Sequence, residues 1–497
     1  MIRRRTILGA GLAPLLAGAA PNAILRCAIN QLPSPWGNPF LADGTPNAYS
    51  WNALFDGLTR LQGDFTVGPS LALSWRRVDP TVWRFTMRPD VRFSNGEPFD
   101  AAAAAATFHW LATAPGRATL MGARFRAIVG ATVRDAATLD LTTTQPDSIL
   151  PQRLATLAIV APRAWAQLGP SGFALKPEGS GPYRIRDWGQ TTRRADMLAN
   201  PHAFRPARTP RLSLYELPET PARVQALMSG DVDLAMVGID DLDLLTARGY
   251  RHVIAPAMQV MSFGFITEGR PSSPLRDVRV RRALNLAVDK AALAGILLRG
   301  LSRPAGQPAA HITFGHDPAI AAFPYDPAAA KALLAQAGFA RGFPLSIAVV
   351  PNALPADTQI YQAAASDLRR VGIDVDLRAI TFSDWLAQFV GGRWRTDAAG
   401  MAWNAAAFND AIRPMENFSC KKPNPYFCDK AMMPLFQAVE AAEGPARLAA
   451  LQRLARAFHE TAPALFLVEQ IDIWAFRRGL SGVRLVSRAP AYEDVIV

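Results

Sequence analysis

From Ile24 onward, apolar runs of strand length alternate with amphipathic segments of helix length, and this alternation constrains the fold most. Strand-like runs lie at Ile24–Ile29, Trp83–Met87, Leu345–Val350 and Ile373–Leu377. Helical patterns cover Phe99–Ala112, Pro221–Met228, Val278–Leu298, Pro327–Ala337 and Asp357–Val371. A helix between two strands buries its apolar stripe by packing back on the sheet, so the pattern predicts α/β lobes rather than a β-sandwich or a helical bundle. The strongest helical signal is Asp277–Lys290, DVRVRRALNLAVDK. Val280, Ala283, Leu284, Ala287 and Val288 recur at i, i+3, i+4, i+7 and i+8 and form one apolar stripe. Asp277 is placed to cap this helix by accepting backbone N–H groups that have no intrahelical partner.

Half of the residues are apolar and 19% are charged, a globular balance that excludes a disordered chain. With roughly 150 residues per domain, the length allows about three domains or lobes. A core of that size needs no metal or disulfide to hold it together. No later stretch approaches 18 uninterrupted apolar residues, which leaves no transmembrane helix signal. At the N-terminus, Arg4 and Arg5 precede Thr6, Ile7 and Leu8 in a twin-arginine pattern. A weakly apolar run follows to Ala20, with small residues suited to cleavage. Residues 1–23 are therefore read as an export signal. Cys27 follows Arg26 rather than a small residue, so it is read as a buried thiol in the first strand and not as a lipidation site. Removing Arg3, Arg4 and Arg5 leaves +9 of the formal +12. The basic residues are scattered, nearly all Arg, and show no aromatic-interleaved run, which argues against a nucleic-acid partner.

Motifs for catalysis are missing: no G-x-S-x-G elbow, H-E-x-x-H, Walker loop or post-strand G-x-G-x-x-G occurs. Among the six His residues, His311 and His316 come close together on a turn-like segment, which is weak support for a metal. His459 is read as a partly buried helix residue. Neither a cofactor nor a metal is expected, and the chain is not read as an enzyme. Cys420 and Cys428 bracket a short Pro/Asn-containing loop. In an oxidising compartment this pair is expected to close a disulfide contributing about 2–3 kcal/mol.

Several blocks, in order along the chain, resemble the extracellular solute-binding proteins of peptide-type ABC importers, family 5. Besides DVRVRRALNLAVDK they are LFDGLTRL at Leu54–Leu61, PSLALSWRRVDPTVW at Pro69–Trp83, RFTMRPDVRFSNGEPFD at Arg84–Asp100 and GSGPY at Gly179–Tyr183. Asn200–Phe204, ARVQALMSGDVDL at Ala222–Leu234 and YDPAAAKALLAQAGFARGF at Tyr325–Phe343 complete the series. The resemblance implies a two-lobed periplasmic binding protein of the type II, clamshell class, with an inserted subdomain in the first lobe. On that reading lobe I comprises 24–50, 177–262 and 474–497. The subdomain is 51–176, and lobe II is 263–473. The chain would cross between lobes at Val260–Ile266 and Ile471–Phe476. The implied function is the periplasmic solute-binding component of an ABC importer. It would be a monomer that captures a peptide-like or other small polar solute and delivers it to an inner-membrane permease. A solute sensor or chaperone-like protein on the same fold, without transport, is the alternative.

The resemblance also implies site residues. The loop with Asp43, Gly44 and Thr45 stands where peptide-binding relatives pair with the ligand backbone, and Gly44 would let main chain approach the solute closely. Trp403 and Asn404 match a strand end whose Trp lines the pocket. Relatives then place a carboxylate that pairs with the peptide's α-amino group, whereas this chain has Ala406. A buried ammonium without a counter-charge is costly. The chain is therefore expected either not to hold a conventional peptide N-terminus or to use Asp410 as a displaced substitute. Ser419-Cys420 also matches the start of a Cys loop found in some dipeptide-binding relatives, which adds to the case for the Cys420–Cys428 disulfide.

Overall fold

The structure, a computed structural model, describes residues 22–42, 47–63, 66–351, 353–405, 409–422, 424–486 and 488–497. The export-signal expectation lies almost wholly outside these residues. The framework is a ten-stranded mixed sheet. From one edge its strands run Asp374–Ala379, Pro344–Val349, Ala398–Asn404, Arg251–Phe265 and Ala464–Phe476. It continues through Leu234–Met236, Ile24–Ile29, Arg211–Glu216, Arg194–Ala199 and Tyr183–Asp187. The two longest strands, Arg251–Phe265 and Ala464–Phe476, pair antiparallel at the centre and carry the chain between the two ends of the sheet. They extend the crossing segments read from the sequence. A second, four-stranded antiparallel sheet is built from Ala72–Asp79, Val82–Met87, Thr138–Thr143 and Ile128–Asp135. The Ala-rich helix Ala101–Ala112 packs on it. Asp100 caps that helix by accepting from the Ala103 N–H at 2.8 Å.

Buried apolar residues form three clusters. One is drawn from the N-terminal part of the chain and its C-terminal return. A second backs the central sheet and includes Val280, Ala283, Leu284, Ala287 and Val288. A third surrounds Trp403, Phe418, Phe458 and Phe466.

The DVRVRRALNLAVDK helix forms as its periodicity predicts, with Asp277 accepting from the Arg279 N–H at 2.8 Å. It ends at Leu286 instead of continuing to Leu298. Asp289 departs from helical geometry and caps a new short helix, Lys290–Ala292, which leads into a π-helical turn at Leu293–Leu297. Three polar members of the segment, Arg281, Asn285 and Lys290, are as buried as its apolar stripe. Arg281 donates to the carbonyls of Leu275, Arg276 and Thr461 at 2.8–2.9 Å. Asn285 Nδ2 donates to the carbonyls of Arg281 and Ala464, and its Oδ1 accepts from the Phe466 N–H. Lys290 Nζ donates to the Asn285 carbonyl. Asn285 thereby satisfies buried backbone groups at the start of the strand Ala464–Phe476, and Arg281 and Lys290 satisfy carbonyls beside it.

Two predictions follow from this packing. Asn285→Ala strips a partner from the buried Ala464 carbonyl and Phe466 N–H and should lower unfolding free energy by about 2–4 kcal/mol in urea titrations. Burial pushes the Lys290 ammonium down to about 7 from 10.5. Below pH 7 the native and unfolded chains are both charged there. Between 7 and 10.5 only the unfolded chain keeps the proton, so this group makes stability rise with pH across that window. Relative to wild type, Lys290→Met should therefore be most favourable below pH 7 and lose ground toward pH 9. Thermal melts of both proteins at pH 6 and 9 check the sign.

Candidate functional site

A cleft with room for about 180 Å³ of water-sized molecules is lined from both sides of the central strand pair. Trp51 and Asn52 come from the helix Asn47–Leu54, followed by Asp56 and by Arg60 in the strand Thr59–Leu61. Arg205 and the C-terminal residues Arg488 and Glu493 complete that wall. Asn404, at the end of the strand Ala398–Asn404, and Arg413, in the short helix Ile412–Met415, face it.

The GSGPY block explains how the first wall is held. A Cβ at Gly179 would stand 2.1 Å from the Leu54 carbonyl oxygen, and one at Gly181 2.5 Å from the Leu54 carbonyl carbon. Only glycine permits this approach to the helix end. The Gly181 N–H donates to the Leu54 carbonyl at 3.0 Å, and Ser180 Oγ donates to Asp56 at 2.9 Å. The motif thus fixes both the helix end and the direction of Asp56.

Charge is organised around Asp56 and Glu493. Arg205 donates from Nε and Nη2 to Asp56 at 3.0 and 2.7 Å and from Nη1 to Glu493. Arg60 reaches Glu493 at 3.3 Å. Burial opposes ionisation of Glu493, but Arg205 and Arg60 outweigh it and hold its carboxyl below the usual carboxylate range. Burial, with Arg205 beside it, lowers the Arg60 guanidinium from its ordinary value. Arg488 donates to Asp472 at 2.8 and 2.7 Å, a bidentate pair that overcomes burial and holds the guanidinium above its ordinary value. Arg413 Nη1 donates to the Asn404 carbonyl. Among the described residues the lining thus carries the guanidiniums of Arg60, Arg205, Arg413 and Arg488 against the carboxylates of Asp56 and Glu493, and contains no His, Cys, Ser or Lys. Such a surface can hold and orient a polar solute through charge and hydrogen bonds.

Of the site residues expected from the sequence, Asn404 lines the cleft. Asp43, Gly44, Thr45 and Ala406 lie outside the described residues. Trp403 is fully buried, donates from Nε1 to Ser262 Oγ at 2.7 Å and stacks on Phe418 at 4.2 Å, so it packs the core beneath the cleft instead of forming its wall. Asp410 is also buried. Its carboxylate pairs with Arg447 at 3.0 Å and accepts from the Ile412 N–H at 2.9 Å. In this structure its carboxylate is therefore occupied by Arg447 inside the fold. Cys420 and Cys428 form a disulfide. His311 engages Glu469 through its backbone N–H and ring, and His459 Nδ1 lies 2.8 Å from the Gly306 carbonyl. Among the described residues no group of three His, Cys, Asp or Glu side chains could hold a metal. The cleft arginines escaped sequence reasoning because each arrives from a different segment, and in so Arg-rich a chain none stands out.

Asp410→Ala leaves Arg447 buried without its counter-charge and should cost about 3–5 kcal/mol of stability. Urea unfolding checks it; an unchanged midpoint together with lost solute binding would return Asp410 to the site.

Residues 66–425, more than two thirds of the chain, match the family described as bacterial extracellular solute-binding proteins, family 5 middle. The nickel-binding periplasmic protein of Escherichia coli (strain K12) is 29% identical over 373 residues, covering 68% of each chain. The glutathione-binding protein GsiB of Salmonella typhi is 25% identical over 379 residues, covering 74% of this chain and 72% of that one. In fold, the chain superposes on the ABC transporter-associated periplasmic binding protein DppA from Helicobacter pylori, solved with the peptide STSA. The TM-score is 0.81 at 19% identity, with 96% of this chain and 98% of that one covered.

Proposed function

This chain belongs to the bacterial extracellular solute-binding proteins of family 5, and we propose that it captures a small polar, peptide-like solute bearing at least one anionic group in the cleft between its lobes. The observation that supports this reading is the cleft lining, to which both lobes contribute and which presents guanidinium groups from four separate segments. The family's role is solute binding for ABC importers, and the nickel-binding relative and DppA are periplasmic binding proteins. Export by the twin-arginine signal at 1–23, a monomeric state and delivery to an inner-membrane permease are parts of the same proposal. Contacts that the solute makes with Arg413 and Asn404 on one side and Arg60 and Arg488 on the other form together only when the lobes close. Each 1.4 kcal/mol of such differential contact shifts the open–closed equilibrium about tenfold.

Native mass spectrometry of protein purified from its own periplasm should reveal a co-purifying small molecule. In thermal-shift screens of acidic peptides, opines and sugars, a ligand at 100 times its dissociation constant should stabilise by about 2.7 kcal/mol. Arg413→Ala should weaken any hit at least tenfold. Stabilisation by neutral sugars alone, untouched by that substitution, would refute the anionic reading.

A further inference from the structure

Residues 147–153 straddle two cores. Leu150 and Leu154 are buried in the N-terminal cluster, while Ile149, 3% exposed, is buried in the cluster around Trp403, whose other members lie between Val260 and Phe466. Neighbouring side chains are thus committed to opposite sides of the cleft. The segment is tied to the first side by Trp83 Nε1, which donates to the Asp147 carbonyl at 2.9 Å, and by Thr59 Oγ1, which donates to the Pro151 carbonyl at 2.5 Å. It reaches the second side by two polar contacts besides Ile149. Arg153 lies 3.1 Å from Asp147 and 3.5 Å from Glu416. Ser148 Oγ accepts from Arg447 Nη1 at 3.1 Å, and Arg447 is itself held by Asp410 and the Val439 carbonyl. Farther along the same boundary, Arg77 pairs with Glu443. The segment runs directly into Ala155 and Thr156, which line the cleft, and Glu416 closely follows Arg413 on the opposing wall.

We infer that residues 147–153 form a clasp that favours the closed cleft independently of solute. Separating the walls at this point would expose Ile149 to water and break the contacts of Arg153 with Glu416 and of Arg447 with Ser148. None of these contacts involves a solute. The clasp therefore sets how much of the unliganded protein is already closed, and a solute binds more tightly by whatever fraction the clasp has prepaid. Arg77–Glu443 and Arg153–Glu416 are partly exposed, so salt weakens this part of the clasp while leaving Ile149 unaffected.

The test is small-angle X-ray scattering of the full-length mature protein, freed of bound solute by unfolding and refolding with its disulfide intact. The combination Ile149→Ser with Arg153→Ala should shift the radius of gyration upward relative to wild type. Leu150→Ser, one residue along but buried on the first side, should lower the melting temperature without expanding the particle. Wild type in 0.5 M NaCl should expand in the same direction as the double variant, by less. A folded double variant with the wild-type radius would overturn the inference, as would a wild type already as expanded as the variant. If the double variant does not fold, Arg153→Ala alone and the salt series are read by the same criterion.

Discussion

The antiparallel pairing of Arg251–Phe265 with Ala464–Phe476 is the contact on which the other parts of the molecule rest. Every residue of the second strand is buried, and the first becomes buried from Ala257 onward. Side chains from this pair feed all three apolar clusters: Trp474 and Phe476 one, Phe263 and Ile473 another, Val260 and Phe466 the third. The two strands therefore join the lobes and are also the wall each lobe packs against. Their register slips between Pro256 and Val260, where Met258 takes a left-handed conformation and Gln470 lies opposite the extra residues with its amide unpartnered. A second slip follows between Val260 and Ser262, and irregular pairing at the middle of a ladder is where its two halves can change their angle at least cost.

That arrangement explains why so much charge is buried beside the cleft. Asp472 is on the central strand, and its bidentate contact with Arg488 ties the C-terminal segment to that strand. Asp56, Arg205, Glu493 and Arg60 form a chain of alternating sign that links three distant segments of the first wall. Removing Arg205 would leave the buried Asp56 carboxylate without its cation, and removing Glu493 would leave Arg60 without its anion, so the wall is held by its charges. Opposite it, Asp410 and Arg447 play the same part beneath Arg413. The solute meets surfaces whose charges are already fixed in position, which spares it the cost of ordering them.

Legibility in the sequence followed the physics of each feature. The helix at Val278–Leu286 could be read because its apolar residues repeat with the helical period and because Asp277 is a good cap. Its early end could not, since the break at Asp289 depends on Lys290 turning inward to the Asn285 carbonyl. The disulfide followed from two cysteines in a short loop. Trp403 and Asn404 mark a strand end, and strand alternation places Trp403 inward on Ser262 and Phe418 while Asn404 lines the cleft. Asp410 was legible as a carboxylate near the site, but its partner Arg447 comes from a helix that begins more than thirty residues later.

The sequence by itself determined the α/β alternation, the helix stripes and caps, the disulfide and the order of blocks that marks the family, because these depend on residues close together along the chain. Tertiary structure alone decided which arginines meet in the cleft, which carboxylates neutralise them and which face of each strand the solute can reach. Those depend on how distant segments are brought together by the central strand pair. Even the signature helix gained its meaning only in three dimensions, where Asn285 ties it to the start of the strand Ala464–Phe476, Arg281 ties it to Thr461 just before, and all stand away from the cleft lining.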